Sequence, residues 1–186
     1  MERLTADAAG VSRAADLLAA GAVIAFPTDT VYGLAAANAA AVQRVYELKG
    51  RPESRPLVLM GADPHELTSR AQVGPVALRL MRRFWPGPLT LVLATPEGPV
   101  GMRVPRHPLA LQLLRAAGQL WTTSANRSGE PDALTAEEVE RQLPQVDALL
   151  HGDRAPGGTP STVVDLTGGR PVLLREGAIP RSELSL

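Results

Sequence analysis

Apolar positions in this chain alternate between helical spacing and short continuous runs, and the switches fall at glycine and proline. Val11-Ser12-Arg13-Ala14-Ala15-Asp16-Leu17-Leu18-Ala19-Ala20 has helical spacing, and Gly21 is suited to end the helix. Ala22 to Phe26 is a short apolar run cut by Pro27, which predicts a buried strand. The hydroxyl-rich Thr28-Asp29-Thr30-Val31-Tyr32-Gly33-Leu34 reads as a turn-like segment. Ala39 to Leu48 is helical again and delivers Lys49 and Arg51 into a loop punctuated by prolines, after which Pro56 to Met60 predicts a second buried strand.

The second half follows the same rules. Pro75 to Phe84 predicts a helix, Trp85-Pro86-Gly87-Pro88 a rigid turn, and Leu89 to Ala94 a strand. Gly101 to Pro105 reads as a short strand, Pro108 to Ala117 as a helix, and Gln119 to Thr123 as a strand. Thr135-Ala136-Glu137-Glu138 has the capping-box pattern and starts a helix running to about Leu143. Three late apolar pieces, Ala148 to Leu150, Ser161 to Leu166 and Pro171 to Leu174, read as strands. Strands and helices intermixed without strict alternation predict an α/β protein of the α+β type, a twisted mixed β-sheet flanked by helices.

Composition narrows the class. A chain of 186 residues has room for one domain with a substantial core, so residues 1–186 are expected to form a single domain. Hydrophobic residues at 45% and charged residues at 20% describe an ordinary globular protein, and a net charge of zero argues against non-specific nucleic-acid binding as the main task. Arg79, Arg82 and Arg83 share one helix face and read as a solvated surface. The absence of cysteine excludes disulfides and a thiol nucleophile. Neither a signal-peptide pattern nor a membrane-length apolar run occurs, so a cytoplasmic location without membrane contact is expected.

The candidate chemistry begins with Lys49, the only lysine among 19 basic residues. A compact ammonium two residues from the planar fork of Arg51 can hold an oxyanion in two ways, which suits a polyphosphate. Taken alone, Lys49 is equally well read as a cation complementing a helix C-terminus. No P-loop is present, since the lysine is followed by Gly-Arg. His65, His107 and His151 lack metal-ligand spacing and read as surface or structural residues, and no Gly-x-Ser-x-Gly elbow occurs. What remains is a set of donors at strand ends: Thr28 to Thr30 with Tyr32, Lys49 with Arg51 and Arg55, Arg103, Thr123 to Asn126, Ser161 with Thr162, and Arg175. Donors without an acidic nucleophile fit a site that binds and aligns anions. Any one of these segments by itself is more simply a turn closed by local hydrogen bonds.

Together the segments resemble the YrdC family, in the family's order and over nearly the whole chain. The matching blocks are Pro27 to Leu34, Lys49-Gly50-Arg51-Pro52, Phe84 to Thr90, Ser124-Ala125-Asn126 with Ser128-Gly129, and Ser161 to Asp165. The pairing of Lys-x-Arg with Ser-x-Asn is similar to that of members acting as L-threonylcarbamoyladenylate synthases. The resemblance implies a YrdC-like fold and synthesis of threonylcarbamoyl-AMP and pyrophosphate from L-threonine, bicarbonate or CO2, and ATP. The product would serve the threonylcarbamoyl modification at N6 of adenosine 37 in tRNA, after transfer by a separate downstream complex.

By position, the resemblance implies that Lys49 and Arg51 hold the triphosphate and carry the catalytic electrostatics. Arg55, Asn126 and Arg175 fall on the ATP side. Thr30, Tyr32, Arg103, Ser124 and Ser161 fall on the L-threonine side, with Arg103 a carboxylate partner by its fork geometry. Mg2+ would enter with ATP, held by phosphates and water rather than by a protein metal site. Two departures from the family pattern stand out. The segment from Tyr32 to Lys49 is shorter, and Met60 occupies a position where several members carry histidine. The chain looks like the single-domain form of a family in which some members add a C-terminal domain. Two alternatives remain: a YrdC-fold protein binding double-stranded RNA or tRNA without synthase activity, and a paralogue with an altered substrate.

Overall fold

The computed structural model describes residues 1–186. The chain opens with β1 (Glu2–Leu4) and α1 (Ala8–Ala19). The helix begins ahead of the predicted start because the Asp7 carboxylate accepts from the Gly10 N–H and caps it. After β2 (Ile24–Phe26), a loop leads into β3 (Gly33–Ala36). Sequence reading ended a hydroxyl-rich, turn-like segment at Leu34 and assigned no strand to the small residues around it. The strand needs them small: a Cβ on Gly33 would sit 3.2 Å from the Phe26 ring and 3.4 Å from the Thr123 carbonyl. Asn38 caps α2 (Ala39–Lys49), and Gly50, at φ 58°, ends it in the left-handed conformation.

Next come β4 (Val58–Met60), the short α3 (Pro64–Leu67) and α4 (Pro75–Phe84). They are followed by β5 (Leu89–Thr95), β6 (Gly98–Arg103) and α5 (Pro108–Ala117). The chain closes with β7 (Leu120–Ser124), α6 (Ala136–Gln142), β8 (Ala148–Leu150), β9 (Thr162–Asp165), β10 (Val172–Arg175) and α7 (Arg181–Leu184). Helices α4 and α5 have the predicted limits, each starting on a proline whose missing N–H costs nothing at that position. The elements that sequence reading did not assign are β1, α3 and α7, each four residues or shorter, too brief to show a period.

All strands join one mixed sheet in the order β1-β8-β2-β3-β7-β4-β6-β5-β9-β10, as the intermixed pattern predicted. Three apolar clusters hold the helices to it. Leu18 of α1 and Leu113 of α5 pack with Ile24, Phe26 and Leu150, while Val45 of α2 and Val139 of α6 pack with Leu34 and Leu149. At the other end, Leu80 and Phe84 of α4 pack with Leu89, Leu91, Val164 and Leu184. Each such fully buried side chain contributes about 1.5–3 kcal/mol.

The arginine face of α4 has a specific use. Arg79 donates to the Ser185 carbonyl at 3.1 Å, and Arg83 lies 3.7 Å from Glu183 and over the Phe84 ring. The contacts to Ser185 and Glu183 fasten α7 to α4. No helix is long and apolar enough to cross a membrane.

Candidate active site

One cleft lies over the middle of the sheet, and its floor follows from strand alternation. Val58 and Met60 of β4, Thr122 and Ser124 of β7, Thr90 of β5 and Arg103 of β6 all line it. Residues two apart on a strand share a face, and Met60 is directly opposite Arg103 in the parallel β4–β6 pair. Gly101, opposite Val58 in the same pair, leaves space between Thr90 and Val58, since a Cβ there would sit 3.4 Å from Thr90 Cγ2 and 3.6 Å from Val58 Cγ2. The walls come from loops bearing Thr28, Thr30, Tyr32, Arg51, Asp132, Pro160, Ser161 and Arg175.

The loop after β2 is braced from within. The Thr28 hydroxyl donates to the Val31 carbonyl at 2.7 Å and accepts from the N–H groups of Thr30 and Val31. Beside it, Arg103 is only 3% exposed. Its Nε donates to the Gly87 carbonyl, one terminal nitrogen to Thr30 Oγ1 at 3.2 Å, and the other to Asp29 Oδ1 at 2.6 Å. Burial pulls the Arg103 pKa down, and Asp29 opposes the shift. Arg103 was expected as a carboxylate partner for a ligand. The structure commits three of its five N–H groups to the protein and leaves two.

Lys49 differs more from expectation. It is 3% exposed and sits behind the cleft wall rather than in its lining. Its ammonium donates to the carbonyls of Ser124 and Asn126, at 2.5 Å each, and to Asn126 Oδ1 at 3.1 Å. Its own carbonyl accepts from the Ser128 N–H at 2.9 Å. The Ser124–Ser128 loop is thereby tied to the end of α2 by both backbone and side chain. Desolvation, with help from the nearby Arg51, lowers the Lys49 pKa to about 8, while Asp132 acts in the opposite sense. Asn126 is equally committed: Oδ1 also accepts from Ser124 Oγ, and Nδ2 donates to the Glu130 carbonyl. It too lies outside the lining.

Because Gly50 turns the chain out of α2, Arg51 reaches the cleft while its Nε donates to the Arg55 carbonyl at 2.9 Å. Arg55 itself is exposed and does not line the cleft. Across the opening, Arg175 donates to the Ser161 carbonyl and to Ser161 Oγ, and that hydroxyl also meets Thr90 Oγ1 at 2.9 Å. Burial lowers the pKa of both Arg51 and Arg175. Tyr32 lines the cleft, but its hydroxyl donates away from it to the Gly152 carbonyl at 2.9 Å, and burial raises its pKa.

Of the ten residues expected at the site, Thr30, Tyr32, Arg51, Arg103, Ser124, Ser161 and Arg175 share the cleft, whereas Lys49, Arg55 and Asn126 do not line it. Sequence reading missed Thr90, Thr122 and Asp132. Strand alternation from Leu89 and Leu91 carried the signal for Thr90, whereas Asp132 lies in an irregular segment without periodicity. The histidines remain outside, and His107 caps α5 through Nδ1. No group of three or more His, Cys, Asp or Glu gathers as a metal cluster, so a divalent cation here would need ligands from a bound molecule.

The class this defines is a mixed α/β protein with a cleft lined by three guanidinium groups and several hydroxyls. The Sua5_yciO_yrdC family model, described as "Telomere recombination", matches residues 16–177. The chain belongs to the Sua5/YciO/YrdC family. It is 40% identical over 190 residues to "Threonylcarbamoyl-AMP synthase" of Bacillus subtilis, covering 94% of this chain and 55% of that protein. The structure of P. abyssi Sua5 complexed with L-threonine superposes with a TM-score of 0.92 at 36% identity, covering 98% of this chain and 59% of the other. E. coli YciO gives a TM-score of 0.85 at 33% identity and 95% coverage of both chains. The chain therefore spans little more than half the length of the Bacillus subtilis and Pyrococcus abyssi synthases that it matches.

Proposed function

We propose that the cleft is the active site of an L-threonylcarbamoyladenylate synthase, a nucleotidyltransferase joining L-threonine, bicarbonate or CO2, and ATP. The observation carrying this reading is the convergence of Arg51, Arg103 and Arg175 with the hydroxyls of Thr30, Ser124 and Ser161 on one cleft. Similarity to the Bacillus subtilis synthase and to the threonine complex of the P. abyssi protein supports it.

The chemistry divides along the cleft. The substrate amine adds to CO2, losing a proton, and a carbamate oxygen then attacks the α-phosphorus with departure of pyrophosphate. No protein nucleophile is needed, only alignment and charge neutralisation. The two spare N–H groups of Arg103 and the hydroxyls of Thr30, Ser124 and Ser161 would hold the amino acid. Arg51 and Arg175 would hold the phosphates directly. Lys49 would act as a positioning residue, adding positive charge from behind the loop it fixes, with Asn126 as its partner. Arg55 would meet the nucleotide only at the rim. Mg2+ entering on ATP would neutralise phosphate charge.

The test is pyrophosphate release with ATP, Mg2+ and bicarbonate, with and without L-threonine, while the adenylate is followed by mass spectrometry. Threonine-dependent threonylcarbamoyl-AMP is expected, and well-folded protein that makes none would overturn the reading. Met60, an apolar side chain on the cleft floor, favours one other version, the same chemistry on a different amino acid. A panel of amino acids in the same assay separates the two.

A further inference from the structure

Among the charged side chains lining the cleft, the three guanidinium groups all have hydrogen-bond partners, but the single carboxylate, Asp132, has none. It is partly buried, and neither of its oxygens is sealed from the cleft. Its backbone is nonetheless fixed on both sides. The Glu130 carbonyl accepts from Asn126 at 2.6 Å, the Pro131 carbonyl from Gln142 at 3.0 Å, and the Ala133 carbonyl from the Tyr32 N–H at 2.9 Å. An unpartnered carboxylate on pinned backbone therefore faces an anion site.

The placement has an electrostatic consequence. Asp132 opposes the lowering that burial imposes on the pKa of both Lys49 and Arg175, so its charge is felt at the cationic wall. A bare polyphosphate drawn toward Arg51 and Arg175 meets repulsion from this carboxylate. A divalent cation carried on the phosphates reverses the sign, because hard cations take carboxylate oxygens as ligands. Asp29 cannot substitute, since Oδ1 is held by Arg103 and Oδ2 is buried.

We propose that Asp132 makes the cleft select a polyphosphate carrying a divalent cation over the same polyphosphate without one, by offering the cation a carboxylate ligand. The proposal rests on the reading of the cleft as a nucleoside triphosphate site.

The experiment is calorimetric titration of the full chain, as wild type, Asp132→Asn and Asp132→Glu, with ATP in Mg2+ and with ATP in excess chelator. Asp132→Asn removes no hydrogen bond, and an unchanged melting temperature verifies that it folds. The substitution is expected to weaken binding of Mg2+-ATP about tenfold and to tighten metal-free ATP about threefold, with Asp132→Glu keeping the wild-type preference. Equal changes of both forms in one direction, or no change in either, would overturn the role of Asp132 while leaving the nucleotide reading intact. Wild type that binds neither form would overturn the nucleotide reading itself, and the inference with it.

Discussion

Lys49 and Asn126 form a buried clamp: the ammonium donates to both the backbone carbonyl and the side-chain carbonyl of Asn126, at 2.5 and 3.1 Å. The Lys-x-Arg and Ser-x-Asn segments, far apart in sequence, are thereby one structural unit. Replacing Lys49 by Ala leaves the backbone carbonyls of Ser124 and Asn126 without a donor, while Asn126 Oδ1 keeps only the Ser124 hydroxyl. We expect a loss of about 2 kcal/mol in urea unfolding together with a sharp fall in turnover. Lys49→Arg should not restore turnover, because a fork cannot reproduce three converging contacts at 3% exposure. Full turnover in both variants would remove Lys49 from the site.

The same lysine predicts a pH effect. Its folded-state pKa of about 8 lies below the ordinary 10.5, so the unfolded chain holds the proton to higher pH. Stability from this group is therefore constant below about pH 8 and rises as pH increases from there toward 10.5. A bound polyphosphate favours the charged form, so ATP binding near pH 8 should take up a fraction of a proton. Titrations in buffers of different ionisation enthalpy measure it, and uptake should vanish below pH 6.

Asp29 is the sole carboxylate paired with the buried Arg103. Asp29→Asn keeps the shape but leaves a buried guanidinium without its counter-charge, and a loss of about 3 kcal/mol is expected in denaturant midpoints. Since Arg103 also donates to Thr30, the KM for L-threonine should rise more than that for ATP.

Gly101 offers the converse case. A valine suits a strand, and its Cβ meets only ordinary contacts, but its methyls project between Thr90 and Val58 on the cleft floor. Gly101→Val should cost about 1–3 kcal/mol by crowding Thr90 and Val58 and weaken substrate binding about tenfold or more by occlusion. Gly101→Ala should be close to neutral in both.

Most of the framework was legible because periodicity reports burial: α4 and α5 match their predicted limits, and the mixed sheet was expected. Strand β3 was hidden because Gly33-Leu34-Ala35-Ala36 is chosen for close packing against Phe26 and β7, a constraint that lies in three dimensions. At the site, most of the residues expected from the sequence line one cleft. Direction was not legible. Nothing in the sequence says that the Lys49 side chain turns inward to two carbonyls, that Tyr32 aims its hydroxyl at Gly152, or that Arg103 spends its fork on Asp29.

The cleft draws on residues from Thr28 to Arg175; Arg175 is held there by the pairing of β10 with β9 and by its side-chain bonds to Ser161, next to the parallel pairing of β9 with β5. A nascent chain on the ribosome therefore has no complete binding surface until Arg175 has emerged. Ligand capacity then reports finished assembly of this sheet rather than any early stage, and substrates present during synthesis would act as chaperones, stabilising the folded cleft once their concentration exceeds Kd.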